Sequence, residues 1–164
     1  MSAISPVLAA VDFSDDSRRA ARRAALVASE QGARFELLHV VSNASAATLR
    51  DMLRKHAGAQ ARVTEGVRAM LDELAADAAG SSGARATTRL EQGEVLPAIL
   101  AAAKKAALLV VGVHGWNPLR DLILGSTAER LLGRCQVPVL VVRRPPRGPY
   151  RRVVAAMDFS PHSL

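Results

Sequence analysis

Gly112, Gly115, Gly125, Ser126 and Thr127 are the residues whose types and spacing could do chemistry. They follow Gly-x2-Gly-x9-Gly-Ser-Thr, directly after the apolar run Leu108 to Val111 and directly before AERLL, which reads as the start of a helix. Glycine lets the backbone take positive φ and come close to a ligand, so successive N–H groups can turn toward the oxygens of an anion. A helix opening near Ser126 adds unpaired amide donors, the positive end of its dipole and two hydroxyls. Such a segment can hold phosphate without a lysine. It matches neither the Gly-x4-Gly-Lys-Ser/Thr loop nor Gly-x-Gly-x2-Gly. The alternative is that the glycines only shape a turn and Ser126 or Thr127 only caps a helix; spacing alone favours neither.

Asp12 is the second candidate. It closes the apolar run Pro6 to Val11 and precedes Phe13 and SDDS. A carboxylate is repelled by phosphates, so its natural partners in a shared crevice are sugar hydroxyls or a bound cation. Together with the glycine segment it describes a nucleotide site. The competing reading is a helix N-cap or turn residue at a strand end.

The elements that must position these residues alternate along the chain. Pro6–Val11 reads as a strand, followed by a helix capped by Ser14 or a neighbouring Asp and ending near Gln31, where Gly32 supplies the stop. Arg34–Val41, with LLHVV, is a second strand. Helical periodicity runs from Ser42 to Gly80, with Leu49, Met52, Leu53, Val63, Val67, Met70, Leu71 and Leu74 on recurring faces and a division near Gly58. Ser81–Gly83 is a turn, Arg85–Leu90 a polar third strand, and Glu94–Lys105 a helix that tolerates Pro97 in its first turn. Leu108–Val111 is strand four, a helix runs to about Arg134, and Val137–Val142 is strand five. Strands alternating with helices give a doubly wound α/β domain with a mainly parallel sheet, whose ligands bind at the carboxyl ends of the strands where the winding reverses. Asp12 and Gly112 both sit at such ends.

Composition excludes several classes. The 164 residues suit one domain, 49% of them are apolar, and alanine is abundant while aromatics amount to 3%. No apolar run reaches membrane-spanning length, and MSAISPV lacks the regions of a signal peptide, so a cytoplasmic protein without a membrane partner is expected. The single Cys135 allows no disulfide within the chain and reads as a packed thiol. The net charge of +7 and pI near 10.9 invite a nucleic-acid reading. Its distribution argues otherwise: Arg18, Arg19, Arg22 and Arg23 read as a solvated helix face, and Arg143 to Arg152 lie in a Pro/Gly linker. With no stacking platform and no helix-turn-helix or zinc-ligand pattern, no specific nucleic-acid binding is expected.

Residues 153–163, VVAAMDFSPHS, echo residues 7–17, VLAAVDFSDDS, with seven of eleven positions identical. The chain therefore reads as a nucleotide-binding domain over 1–143, a basic linker over 144–152, and the first strand and turn of a second copy over 153–164. The apolar VVAAM is expected to pair with an exposed sheet edge of its own or a neighbouring chain.

The first strand with Asp12-Phe13-Ser14, the LLHVV strand, Gly93-Glu94, the Gly112-x2-Gly115-x9-Gly125-Ser126 segment and the closing VPVLVVR together resemble the universal stress protein family, across residues 5 to 143. The resemblance implies an open five-stranded sheet of order 3-2-1-4-5 and a site for ATP, with Mg2+ or without, AMP and ADP being alternatives. In it Asp12 would contact the ribose, the main chain of Val40 the adenine edge, and Gly112, Gly115, Gly125, Ser126 and Thr127 the phosphates. It also implies dimers formed through the last strand, or pairing with a second copy in tandem members. Trp116-Asn117-Pro118 departs from the usual basic residue and further glycine. His114 stands where the family often has histidine, and reads as a structural hydrogen-bonding residue before a catalytic one.

With no evident catalytic residue, dedicated metal site or phosphate-clamping lysine, the leading reading is a binding module: an ATP-holding stress-response sensor or regulator acting through dimer or partner contacts. The alternatives are a slow ATP hydrolase or self-phosphorylating protein using Ser126 or Thr127, and a nucleotide-free scaffold.

Overall fold

A computed structural model describes residues 6–53, 59–80, 82–114 and 125–157. In chain order the elements are β1 (Val7–Ala10), α1 (Asp15–Glu30), β2 (Phe35–Ser42), α2 (Asn43–Leu53), α3 (Ala59–Gly80), β3 (Ala86–Gly93), α4 (Val95–Ala103), β4 (Leu108–Gly112), α5 (Ser126–Arg134) and β5 (Val139–Val142). The five strands form one parallel sheet in the order β3-β2-β1-β4-β5. From β1 the winding goes outward through β2 and β3 on one side, then through β4 and β5 on the other. The reversal lies between β1 and β4, where a crevice is expected at the carboxyl ends.

Alternation along each strand divides the core between the two faces. Val7, Ala9, Val11, Phe35, Leu37 and Val110 meet α1 and α3, whereas Leu8, Leu38, Val40, Leu109 and Val111 meet α4 and α5. Full burial of each of the larger side chains contributes about 1.5–3 kcal/mol. α1 presents Ala20, Ala21, Ala24, Ala25 and Ala28 to its cluster, all at 0% exposure. Methyl groups let the helix lie close on the strands.

Local chemistry explains the boundaries. Ser14 caps α1, its Oγ accepting from the Ser17 N–H at 3.3 Å, and Asp15 and Asp16 complement the first turn. Gly32 takes φ 61°, the left-handed conformation that ends the helix. β3 runs three residues beyond the expected Leu90 because it pairs with β2 along the whole length from Phe35↔Ala86 to Ser42↔Gly93. The expected division near Gly58 and Ser81 of the expected turn lie outside the described residues. Of the apolar positions expected to recur on helix faces, Leu71 and Leu74 are buried, while Met52, Val63 and Met70 are exposed. Cys135 is half-buried and packs against the α4/α5 cluster.

One expectation fails, and a second is not met within this chain. Arg23 is 7% exposed rather than solvated, because residues 148–150 fold back over it. Residues 153–157 form no strand and remain exposed, so the edge pairing expected of VVAAM is absent within this chain. The slot that suits such a segment, between β2 and β4, is already filled by β1.

Candidate functional site

The register sets the height of each candidate residue. Ala10 pairs with Leu38 and Ala9 with Val110, so continuing both ladders places Val40, Asp12 and Val113 side by side on three neighbouring segments of the chain, just past the end of β1. Gly112 lies one residue below. The reversal point thus collects the residues that the sequence separated by about a hundred positions.

Asp12 is half-buried and held by a tight turn. Its Oδ1 accepts from the Ser14 N–H at 3.1 Å and the Ser14 Oγ–H at 2.6 Å. The residue between them, Phe13, takes φ 66°, which turns the chain back so that Ser14 can face Asp12 and start α1. Left-handed backbone at a phenylalanine costs about 1–3 kcal/mol and has to be held by its surroundings. The Phe13 ring supplies part of that hold by packing on His39, with centroids 4.5 Å apart. The turn role considered for Asp12 is therefore present, and the residue stands at the carboxyl end of β1, at the reversal point of the sheet.

Val40 is presented through its main chain. The Val11 N–H donates to the Leu38 carbonyl at 2.9 Å, so the peptide groups of Leu38 face β1, and by alternation those of Val40 face the same side beyond the end of β1. The Val11 carbonyl accepts from His39 Nδ1 at 2.7 Å, which makes Nδ1 the protonated nitrogen. His39 thus joins the ends of β1 and β2 at the level where the Val40 peptide faces the side of β1, beyond its end. Nothing in the sequence pattern marks His39 for this role beyond its position in LLHVV.

The phosphate-binding candidates begin at Gly112, and the absence of a side chain there answers a packing demand. A β-carbon on Gly112 would lie 2.7 Å from the carbonyl carbon and 2.9 Å from the carbonyl oxygen of Asp16. The first turn of α1 therefore rests directly on the end of β4. One further contact reinforces the junction, Asp16 Oδ2 meeting His114 Nδ1 at 3.1 Å, while Asp16 Oδ1 accepts from Arg19 Nη1 within α1 at 2.6 Å. His114 is in a hydrogen-bonding role, and the carboxylate it meets lies 98 residues away in sequence.

Gly125 returns the chain to the same place. Its N–H donates to the Val113 carbonyl at 2.8 Å, while the Val113 N–H donates to the Val142 carbonyl at 3.2 Å. The Gly125 amide is consequently engaged with the protein, and the donors presented by α5 are those of its first turn, from Ser126 onward. No side-chain hydrogen bond caps that turn. Ser126 and Thr127 are exposed. Gly115 and Trp116-Asn117-Pro118 lie outside the described residues. Among the described residues no group of three or more His, Cys, Asp or Glu side chains could hold a metal ion.

A cavity of about 170 Å3 opens near α2, bordered by Val41, Leu49, Arg68, Leu90 and Gln92. It includes none of the candidate residues, and small-molecule sites start at about 300 Å3. No helix among the described residues is long and apolar enough to cross a membrane.

The model of the universal stress protein family matches residues 4–143. The chain is 33% identical to universal stress protein YxiE of Bacillus subtilis over 146 residues, covering 84% of this chain and 97% of that protein. It is also 33% identical over 140 residues to a universal stress protein of Thermus aquaticus, covering 84% and 97%. Against universal stress protein Rv1996 of Mycobacterium tuberculosis the match is 32% over 90 residues, 52% of this chain and 28% of that protein. Among solved structures, the universal stress protein UspA of Lactobacillus plantarum superposes with TM-score 0.64 at 23% identity, covering 87% of this chain and all of that one. A universal stress protein solved in complex with cAMP gives TM-score 0.62 at 28% identity, covering 87% and 98%. Sheet order, matched length and identity agree, and the chain belongs to the universal stress protein family.

Proposed function

We propose that this domain is an adenine-nucleotide-binding module of the stress response, holding ATP at the reversal point of its sheet and acting through nucleotide-dependent contacts with a second copy or a partner. The observation that carries the proposal is the common height of Asp12, Val40 and Val113, with the first turn of α5 tied to Val113 through Gly125. Asp12 then meets the ribose hydroxyls, and the Val40 peptide reads the adenine edge. The first-turn amides of α5 with the Ser126 and Thr127 hydroxyls receive phosphate, joined by Gly112 and Gly115. The relative solved with cAMP supports an adenine nucleotide as the ligand class.

Mg2+, where present, is carried in by the phosphates. β5, at the edge of the sheet, is the strand through which a dimer forms. A cytoplasmic location follows from the same reading. The test is isothermal titration of the folded chain with ATP and with AMP, beside native mass spectrometry for copurified nucleotide. Saturable binding of ATP, weakened in Asp12→Ala, is expected. A folded sample that binds neither nucleotide overturns the proposal.

A further inference from the structure

The basic segment after β5 does not hang free. Arg23, on α1, donates from Nη1 to the Gly148 carbonyl at 2.7 Å, and its guanidinium carbon stands 4.0 Å from the centroid of the Tyr150 ring. The contact spans 125 residues of sequence. Gly148 takes φ 143°, a conformation other residues rarely adopt. Pro145, Pro146 and Pro149 narrow the conformers open to the segment before it docks. One feature opposes the contact: the Nε of Arg23 is buried without a hydrogen-bond partner.

The strap lies on the surface, with Pro146 and Gly148 half-buried and Tyr150 51% exposed, and the chain beyond it is more exposed still. Val153 is 85% exposed, Val154 93% and Met157 52%, although this stretch repeats the sequence of β1. β1 is a central strand with β2 on one side and β4 on the other. A segment with its sequence suits a slot with a partner strand on each side, and in this domain that slot is occupied.

We infer that residues 145–150 are a docked strap, latched on α1 by Arg23, which fixes where the chain leaves the domain and presents the apolar 153–157 segment, clear of this domain's own sheet, to a second copy of the same fold as its first strand. The second-copy part rests on the repeat in the sequence. The latch stands on geometry alone and is independent of any nucleotide.

Limited trypsin digestion of the whole 164-residue chain, followed by mass spectrometry, tests the latch and the presentation together. Arg147–Gly148 lies within the strap and Arg152–Val153 beyond it. The expected result is fast cleavage after Arg152, and cleavage after Arg147 that accelerates about tenfold in Arg23→Ala and in Tyr150→Ala, since cleavage follows the population of the open strap. Tyr150 lies on the half-exposed strap, outside the core, so Tyr150→Ala decides the matter if Arg23→Ala also opens the bonds after Arg18 and Arg19 and thus fails to fold. Unchanged cleavage after Arg147 in a folded Tyr150→Ala chain overturns the latch. Protection of Arg152–Val153 in the native chain overturns the presentation of 153–157.

Discussion

Gly112 and Asp16 touch through the backbone: a β-carbon on the one would sit 2.7 Å from the carbonyl carbon of the other. The start of the glycine segment and the start of the first helix are thus a single packed junction. A glycine that looks suited to a ligand is also a glycine that a helix requires.

Gly112→Ala should therefore destabilise the fold. The obstacle is helix backbone, which moves less readily than the end of a side chain, so about 1–3 kcal/mol is expected. Urea denaturation of the two proteins without nucleotide measures it. A change below about 0.5 kcal/mol would show that α1 shifts freely at this point.

Phe13 offers a test in which two truncations differ. Both Phe13→Gly and Phe13→Ala remove the ring from His39, but glycine accepts φ 66° without strain. The glycine variant should be the more stable by about 1 kcal/mol, the reverse of the usual order of these residues. Thermal unfolding of the pair gives the sign directly.

Asp16→Asn keeps the size of the side chain and removes its charge. It weakens the pair with Arg19 and the contact with His114, both only partly exposed, and places a neutral group in the first turn of α1. A loss of about 0.5–1.5 kcal/mol in stability is expected from these contributions together. The companion His114→Ala, combined with it in a double-mutant cycle, should show coupling; purely additive losses would mean that the contact contributes nothing.

Asp12→Ala addresses the ligand. If the carboxylate accepts ribose hydroxyls, ATP affinity falls about tenfold or more, in keeping with about 1.5–3 kcal/mol for a hydrogen bond to a charged group. Ser14→Ala is the control, since it removes the α1 cap and a hydrogen bond to Asp12 at a cost of about 0.5–2 kcal/mol in stability while leaving the carboxylate in place. Titration calorimetry on both variants separates a binding role from a turn-forming one.

The sheet was readable because alternation, caps and strand-end residues are local signals. Ser14, Gly32 and the LLHVV run each announce an element within a few residues. The placement of Asp12 near Gly112 was legible as well, since both close apolar strands and the family resemblance implies an order in which those strands are neighbours. Contacts reaching across the chain were not legible. Asp16 reads as a helix-capping acid, and nothing in its neighbourhood announces His114. Arg23 shares its helix with Arg18, Arg19 and Arg22, so periodicity alone groups it with the solvated face; its burial depends on a strap that starts a whole domain later. Gly112 answers a packing demand from the first turn of α1 that its spacing in the sequence does not announce.

The alanine seam of α1 has a consequence for how this protein can change. Ala20, Ala21, Ala24, Ala25 and Ala28 are all wholly enclosed, and none has a smaller apolar side chain to mutate to except by deleting it altogether. Any larger residue must push the helix off the strands, and that helix carries Asp16 at one end and Arg23 midway. Drift at these five places is thus penalised in both directions. Variation tolerated in α1 should collect on its outward side, leaving the distance between helix and sheet the least negotiable dimension of the molecule.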